Sequence, residues 1–124
     1  MSFVRSPAVA GTFYPADAVS LSSQIRAFLA EAGEDVGPAP KALIAPHAGY
    51  IYSGPVAAHA YAHLQPLHDV IERVVRLGPC HRVATLGLAL SSAETFLTPP
   101  GPVPADHRSP ENVLALPPVP VTGR

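Results

Sequence analysis

The amino-acid sequence predicts an α/β fold, with a central sheet of parallel strands and helices on its faces. Three observations carry this prediction. Two short apolar runs, Lys41-Ala-Leu-Ile-Ala45 and Glu72-Arg-Val-Val-Arg-Leu77, have the length and β-branched content of buried strands. The segment between them reads as a helix, and a strand–helix–strand order implies parallel strands joined by a right-handed crossover. Each run is followed within a few residues by a histidine, His47 after the first and His81 after the second. Both would then emerge at the carboxyl ends of neighbouring strands, the edge at which open α/β sheets place their ligands.

Each element follows from local chemistry. Residues 2–16 read as an extended arm punctuated by Gly11 and Pro15. Over 17–32, Leu21, Ile25, Phe28 and Leu29 recur at helical spacing, and Gly33 supplies a stop. Residues 33–40 are a loop and 41–45 the first strand. The loop Pro46-His-Ala-Gly-Tyr-Ile-Tyr-Ser-Gly54 leads to a second helix from Pro55 to about Gln65, with Ser53 or Gly54 as its cap and Pro66 as its stop. Its alanines, Ala57, Ala58, Ala60 and Ala62, let it lie close to a sheet. The second strand spans 72–77 and a third 83–90, and a short helix is expected from Ser109 to about Leu116. Eight of the 16 prolines fall between Pro99 and Pro120. Pro-Pro-Gly-Pro-Val-Pro (99–104) can form neither a regular helix nor a central strand. The chain is read as one partial α/β domain over 1–124, with a proline-rich tail over 99–124.

Bulk properties narrow the function. The 124 residues suffice for one small domain. A net charge of −1 leaves no electrostatic footprint for nucleic acid or an anionic membrane. The N-terminus lacks the apolar stretch of a signal peptide, and no run reaches transmembrane length. The single cysteine, Cys80, excludes an internal disulfide and fits a reducing cytoplasm.

His47 and His81 are the candidate metal ligands. Neutral imidazole is the commonest metal ligand. Two of them leave room for a third protein ligand and an open position, an arrangement that suits iron(II) oxygen chemistry as well as zinc. The competing reading is that each merely caps a strand or bonds a loop carbonyl. Cys80 is expected to be a small buried residue facing away from whatever His81 binds, because neighbours in an extended segment point to opposite sides. His59 and His63 share a helix face, but Ala60 stands where a zinc-protease helix needs Glu, so a packing or solvent-facing role is expected. Phosphate-binding glycine signatures and a serine nucleophile elbow are absent from the sequence.

Four motifs, Arg5-Ser-Pro-Ala-Val-Ala-Gly-Thr-Phe-Tyr-Pro15, Ile44-Ala-Pro-His-Ala-Gly-Tyr-Ile-Tyr-Ser-Gly54, Ala57-Ala-His-Ala-Tyr61 and Leu77-Gly-Pro-Cys-His-Arg82, resemble the Memo family, called AmmeMemoRadiSam system protein B in prokaryotes. That family is similar to the class III extradiol ring-cleaving dioxygenases, an α/β fold with non-haem iron(II). The resemblance implies that His47 and His81 are two metal ligands and that Phe13 lines the approach to the site. Tyr50 is a further pocket-lining candidate. The implied cofactor is a divalent metal, iron before copper or zinc. Cys80 stands where the family usually has Ser. Family members are longer, with a Glu-His-Ser motif and a metal-site cysteine in a second half beyond this sequence. The chain therefore reads as the N-terminal half of the fold, inactive by itself, pairing with another subunit to cover exposed sheet. Two other readings stand beside the dioxygenase-like one: a non-catalytic module binding a peptide or partner, and a truncated remnant. No residue is assigned a catalytic role, and the substrate is an unknown small molecule or peptide.

Overall fold

A computed structural model describes residues 3–33, 37–84 and 87–106. Its elements are β1 (Val4–Arg5), α1 (Ala18–Ala32), α2 (Tyr50–Ala62), a 3-10 turn at Gln65–Leu67, β2 (Thr95–Thr98) and β3 (Gly101–Pro104). The class is α/β: a three-stranded sheet in the order β1-β2-β3 accompanies two helices. β1 runs parallel to β2, with Val4 opposite Thr95 and Arg5 opposite Phe96.

The strands are not where the apolar runs predict them. Residues 41–45 and 72–77 carry no sheet ladder, and neither do the described residues of 83–90. Ile44 is 99% exposed and Val74, Val75 and Leu77 are exposed as well. The physical reason is that a strand is a non-local object. An apolar run becomes one only when a neighbouring strand pairs with its amides and carbonyls along at least one edge. Consequently His47 and His81 do not stand at strand ends. The expected helix from Ser109 lies outside the described residues.

The described residues form two compact units. One contains 3–6, 73–84, 87–98 and 102–106 and holds the sheet. There, Glu94 N–H donates to the Phe3 carbonyl (2.9 Å) and Ala105 N–H to the Glu94 carbonyl (2.9 Å). Arg73 Nε pairs with Asp106 Oδ2 at 3.0 Å, and Ala93 is buried. The Pro99-Pro100 link joins β2 to β3. β3, with Pro102 and Pro104, occupies a sheet edge, the place where missing N–H donors are tolerated.

The other unit, 7–33, 37–72 and 99–101, is built on the α1–α2 pair. α1 begins where Asp17 Oδ1 accepts the Ser20 N–H at 2.8 Å. It ends at Gly33, whose φ of 83° no other residue adopts cheaply. Leu21 is buried, and Ile25, Phe28 and Leu29 are half-buried on the same side. α2 turns Gly54, Ala58 and Ala62 inward. Gly54 leaves room for α1: a Cβ built there would lie 2.5 Å from Cε2 of Phe28.

α2 starts at Tyr50, five residues before the expected first residue, so neither Ser53 nor Gly54 caps it and Pro55 lies inside it. The early start has a tertiary cause. Gly49 offers no capping side chain, but the Phe13 carbonyl accepts the Tyr50 N–H (2.8 Å), and the Gly49 carbonyl accepts those of Tyr52 (2.9 Å) and Ser53 (3.1 Å). Donors at the helix start are thus satisfied from outside the helix. The cost of Pro55, a missing N–H toward the Ile51 carbonyl, is limited because Ile51 faces solvent.

Candidate functional site

The site residues follow from a tight turn and the loop docked on it. In the turn 9–14 the Val9 carbonyl accepts from Thr12 N–H (3.1 Å), Thr12 Oγ1 (2.9 Å) and Phe13 N–H (2.9 Å), while Gly11 N–H donates to the Tyr14 carbonyl (2.8 Å). Gly11 has φ 81°, so the turn depends on a residue without a Cβ. This turn points the Phe13 carbonyl at α2, and the loop 46–49 is held between the two. Ser53, itself buried, donates its hydroxyl to the Ala48 carbonyl at 2.9 Å. The loop carrying His47 is therefore tied at both neighbours of Gly49, and His47 itself is exposed.

Beside this loop lies an open cavity of about 220 Å³ lined by Gly11, Thr12, Phe13, Tyr14, Pro15, Gln24, Tyr50 and Ile51. Tyr50 is its centre of packing: its ring lies 5.7 Å from Tyr14 and 6.3 Å from Phe28, both tilted. Burial pushes the Tyr50 hydroxyl above its ordinary pKa, and the neighbouring Tyr14 and Tyr61 add to the shift. Gln24 Oε1 is buried without a hydrogen-bond partner among the described residues.

His81 lies in a bend of the other unit, also exposed. Cys80 is exposed, not the buried residue expected from its position. The extended-segment argument set Cys80 opposite His81 and assumed one covered face. Without a strand at 72–77 there is no such face. His59 is exposed and its Nδ1 lies 2.8 Å from the Pro55 carbonyl, a local helix contact of the kind expected for it. Among the described residues, no group of three or more His, Cys, Asp or Glu side chains is placed to hold a metal ion. No helix among them is long and apolar enough to cross a membrane.

Sequence reasoning missed Gln24 and Tyr14 as cavity residues. Gln24 sits one residue before the Ile25 of α1's apolar stripe, and Tyr14 lies in a turn with no periodicity. Only the turn's docking on α2 brings them together.

Comparison with known proteins agrees with the motifs. The family described as Memo-like protein matches residues 5–121. Protein MEMO1 of Danio rerio is 44% identical over 95 residues, 77% of this chain and 31% of the relative. Protein memo-1 homolog of Caenorhabditis elegans is 40% identical over 111 residues, 90% of this chain and 31% of the relative. The MEMO1 family protein of Aquifex aeolicus is 39% identical over 115 residues, 92% of this chain and 41% of the relative. The matched stretch is thus about a third of the length of these relatives. With its family matched across nearly all its residues, the chain belongs to the Memo family.

Proposed function

We propose that this chain supplies the two-imidazole part of a Memo metal centre, with His47 and His81 as ligands and Phe13 and Tyr50 beside the approach. The observation that carries the reading is the fixed His47 loop, whose Ala48 carbonyl is tied to Ser53 and whose following residue, Tyr50, is tied to Phe13. A ligand on a pre-set loop loses little entropy on binding, which favours coordination over a transient contact. The donor set fits a divalent iron, copper or zinc ion in part: two borderline nitrogen donors are present, and a third protein ligand has to come from elsewhere. When bound, the ion would act as a Lewis acid toward a substrate oxygen or O₂, as the likeness to extradiol dioxygenases suggests. This chain's own residues would hold the ion and wall the approach with apolar surface. By itself the chain is proposed to be inactive, because two imidazoles hold an ion loosely.

The test is titration with cobalt(II), followed by the ring resonances of the histidines in NMR. Coordination by both ligands predicts that His47 and His81 broaden together at one equivalent while His59 does not. If His59 or His63 broadens and His47 stays sharp, the assignment is wrong.

A second reading, a non-catalytic module that binds a partner, is favoured by the exposed apolar side chains at Ile44, Ile51 and Tyr52. Metal separates the two. A module of this kind would engage its partner equally well with His47 and His81 replaced by alanine.

A further inference from the structure

Ser53 is out of character for its helix. Among the described residues it alone is polar and buried, and the other buried positions of α2 are Gly54, Ala58 and Ala62. Alanine at 53 would be the better helix former and would bury no hydroxyl, so helix stability does not explain the serine. A helical serine ordinarily returns its hydroxyl to the carbonyl three or four residues back. Here the Gly49 carbonyl, four residues back, accepts the N–H groups of Tyr52 and Ser53. The Ser53 hydroxyl reaches past it to the Ala48 carbonyl at 2.9 Å. Ala48 lies outside α2, which begins at Tyr50, so this bond adds nothing to the helical ladder.

What the bond holds is the chain beside His47. Ser53 donates to the carbonyls of both residues that follow this histidine, its hydroxyl to Ala48 and its N–H to Gly49 (3.1 Å). Peptide units are rigid planes, so each anchored unit removes freedom from its neighbours. The Gly49–Tyr50 unit is also anchored by the Tyr52 N–H and by the Phe13 carbonyl, which accepts the Tyr50 N–H (2.8 Å). The Ala48–Gly49 unit, one step nearer His47, is anchored by the Ser53 hydroxyl. His47 itself is exposed, so its place depends on this backbone. We propose that Ser53 is a positioning residue for His47: by holding the Ala48–Gly49 peptide, its hydroxyl restricts where the imidazole can lie and so sets its affinity for a divalent metal. The inference rests on the proposed metal role of His47 and names the side chain that controls that ligand. A ligand on a loose loop loses ordering entropy each time it binds; Ser53 removes that loss in advance.

The test compares the 124-residue chain with Ser53→Ala and Ala58→Leu, each fully folded by circular dichroism. Ser53→Ala should fold, since alanine suits a buried helix position. Amide relaxation of the metal-free proteins is measured first, then cobalt(II) is titrated and its dissociation constant read from broadening of the His47 ring. In Ser53→Ala the amides of residues 47–49 should become more mobile while those of residues 57–62 keep their wild-type values. Cobalt should bind about three- to tenfold more weakly, the change that one net hydrogen bond corresponds to. Ala58→Leu, which strains the α1–α2 contact away from the loop, should melt earlier and leave both readouts at wild-type values. Either readout unchanged in Ser53→Ala would overturn the proposal, as would equal weakening of cobalt binding by Ala58→Leu. Absence of His47 broadening in the wild-type chain is a separate result: it would sink the metal reading itself, and this inference with it.

Discussion

Gly54 is the residue on which the α1–α2 contact turns. Two effects oppose each other on replacing it with alanine. Alanine is the better helix residue by about 1 kcal/mol, but its Cβ would enter the Phe28 ring, and overpacking of this kind costs about 1–3 kcal/mol. Phe28 cannot simply swing away, because its ring also packs on Tyr50. The clash should win, and chemical denaturation should show Gly54→Ala destabilised. In a Phe28→Leu background the sign should reverse, because the propensity gain is then unopposed. A loss of stability that is the same in both backgrounds would mean that the ring is not the obstacle. Gly11 offers a simpler case. Its φ of 81° makes Gly11→Ala cost about 1–2 kcal/mol whatever the space around it. Tyr50 supplies a pH test. Its folded-state pKa is raised above the ordinary 10.0, so its contribution is present in full below pH 10.0. That contribution declines above this value until the folded pKa has been passed. Tyr50→Phe should remove this part of the alkaline decline in a series of melts.

At the scale of elements, the two helices were legible to different depths. α1 follows from its sequence because its signals are local: Asp17 caps it, Leu21 and its partners set the face, and Gly33 stops it. Asp17 also ties the helix to acid stability. Its pKa is lowered chiefly by the backbone N–H of Ser20, so its contribution is present above the unfolded value of 3.8 and is lost as pH falls through the folded value. α2 was foreseen as a helix, but its start was not, because the acceptor that opens it is the Phe13 carbonyl, 37 residues away in sequence. No local rule around Ser53-Gly54-Pro55 could reveal that. The alanines were expected to lay α2 on a sheet; Ala58 and Ala62 are indeed buried, but the element they pack on is α1. Ala58 is 5% exposed, and Ala58→Leu should overpack the interface by about 1–3 kcal/mol. A thermal melt unchanged by this substitution would put α2's buried face elsewhere. The strands were the least legible. The runs 41–45 and 72–77 have strand composition without strand pairing. The parallel pair that does form uses Val4–Arg5 and Thr95–Thr98, segments about 90 residues apart in the chain. Pairing at such separation is specified by the whole fold and not by either segment.

For the whole molecule, the motifs placed the chain in its family, and the proposal that His47 and His81 bind a metal rests on that resemblance. Of the candidate site, Phe13 and Tyr50 were named from sequence and line one cavity, whereas His47 and His81 stay proposed ligands. The supports of the site were not legible, because the Ser53–Ala48 and Phe13–Tyr50 bonds exist only once the turn 9–14 docks on α2. If the proposal holds, both His47 and His81 bind the metal and no other histidine among the described residues replaces them. Each ligand added to a site increases affinity without a fresh cost of association, so a pair of imidazoles should bind measurably but exchangeably. The most direct measurement is anaerobic equilibrium dialysis against iron(II) of the chain and three variants, His47→Ala, His81→Ala and His59→Ala. Weak binding lost on replacing either His47 or His81, and kept in His59→Ala, is the predicted result. Tight one-to-one retention, or binding that survives His47→Ala and His81→Ala together, would contradict it.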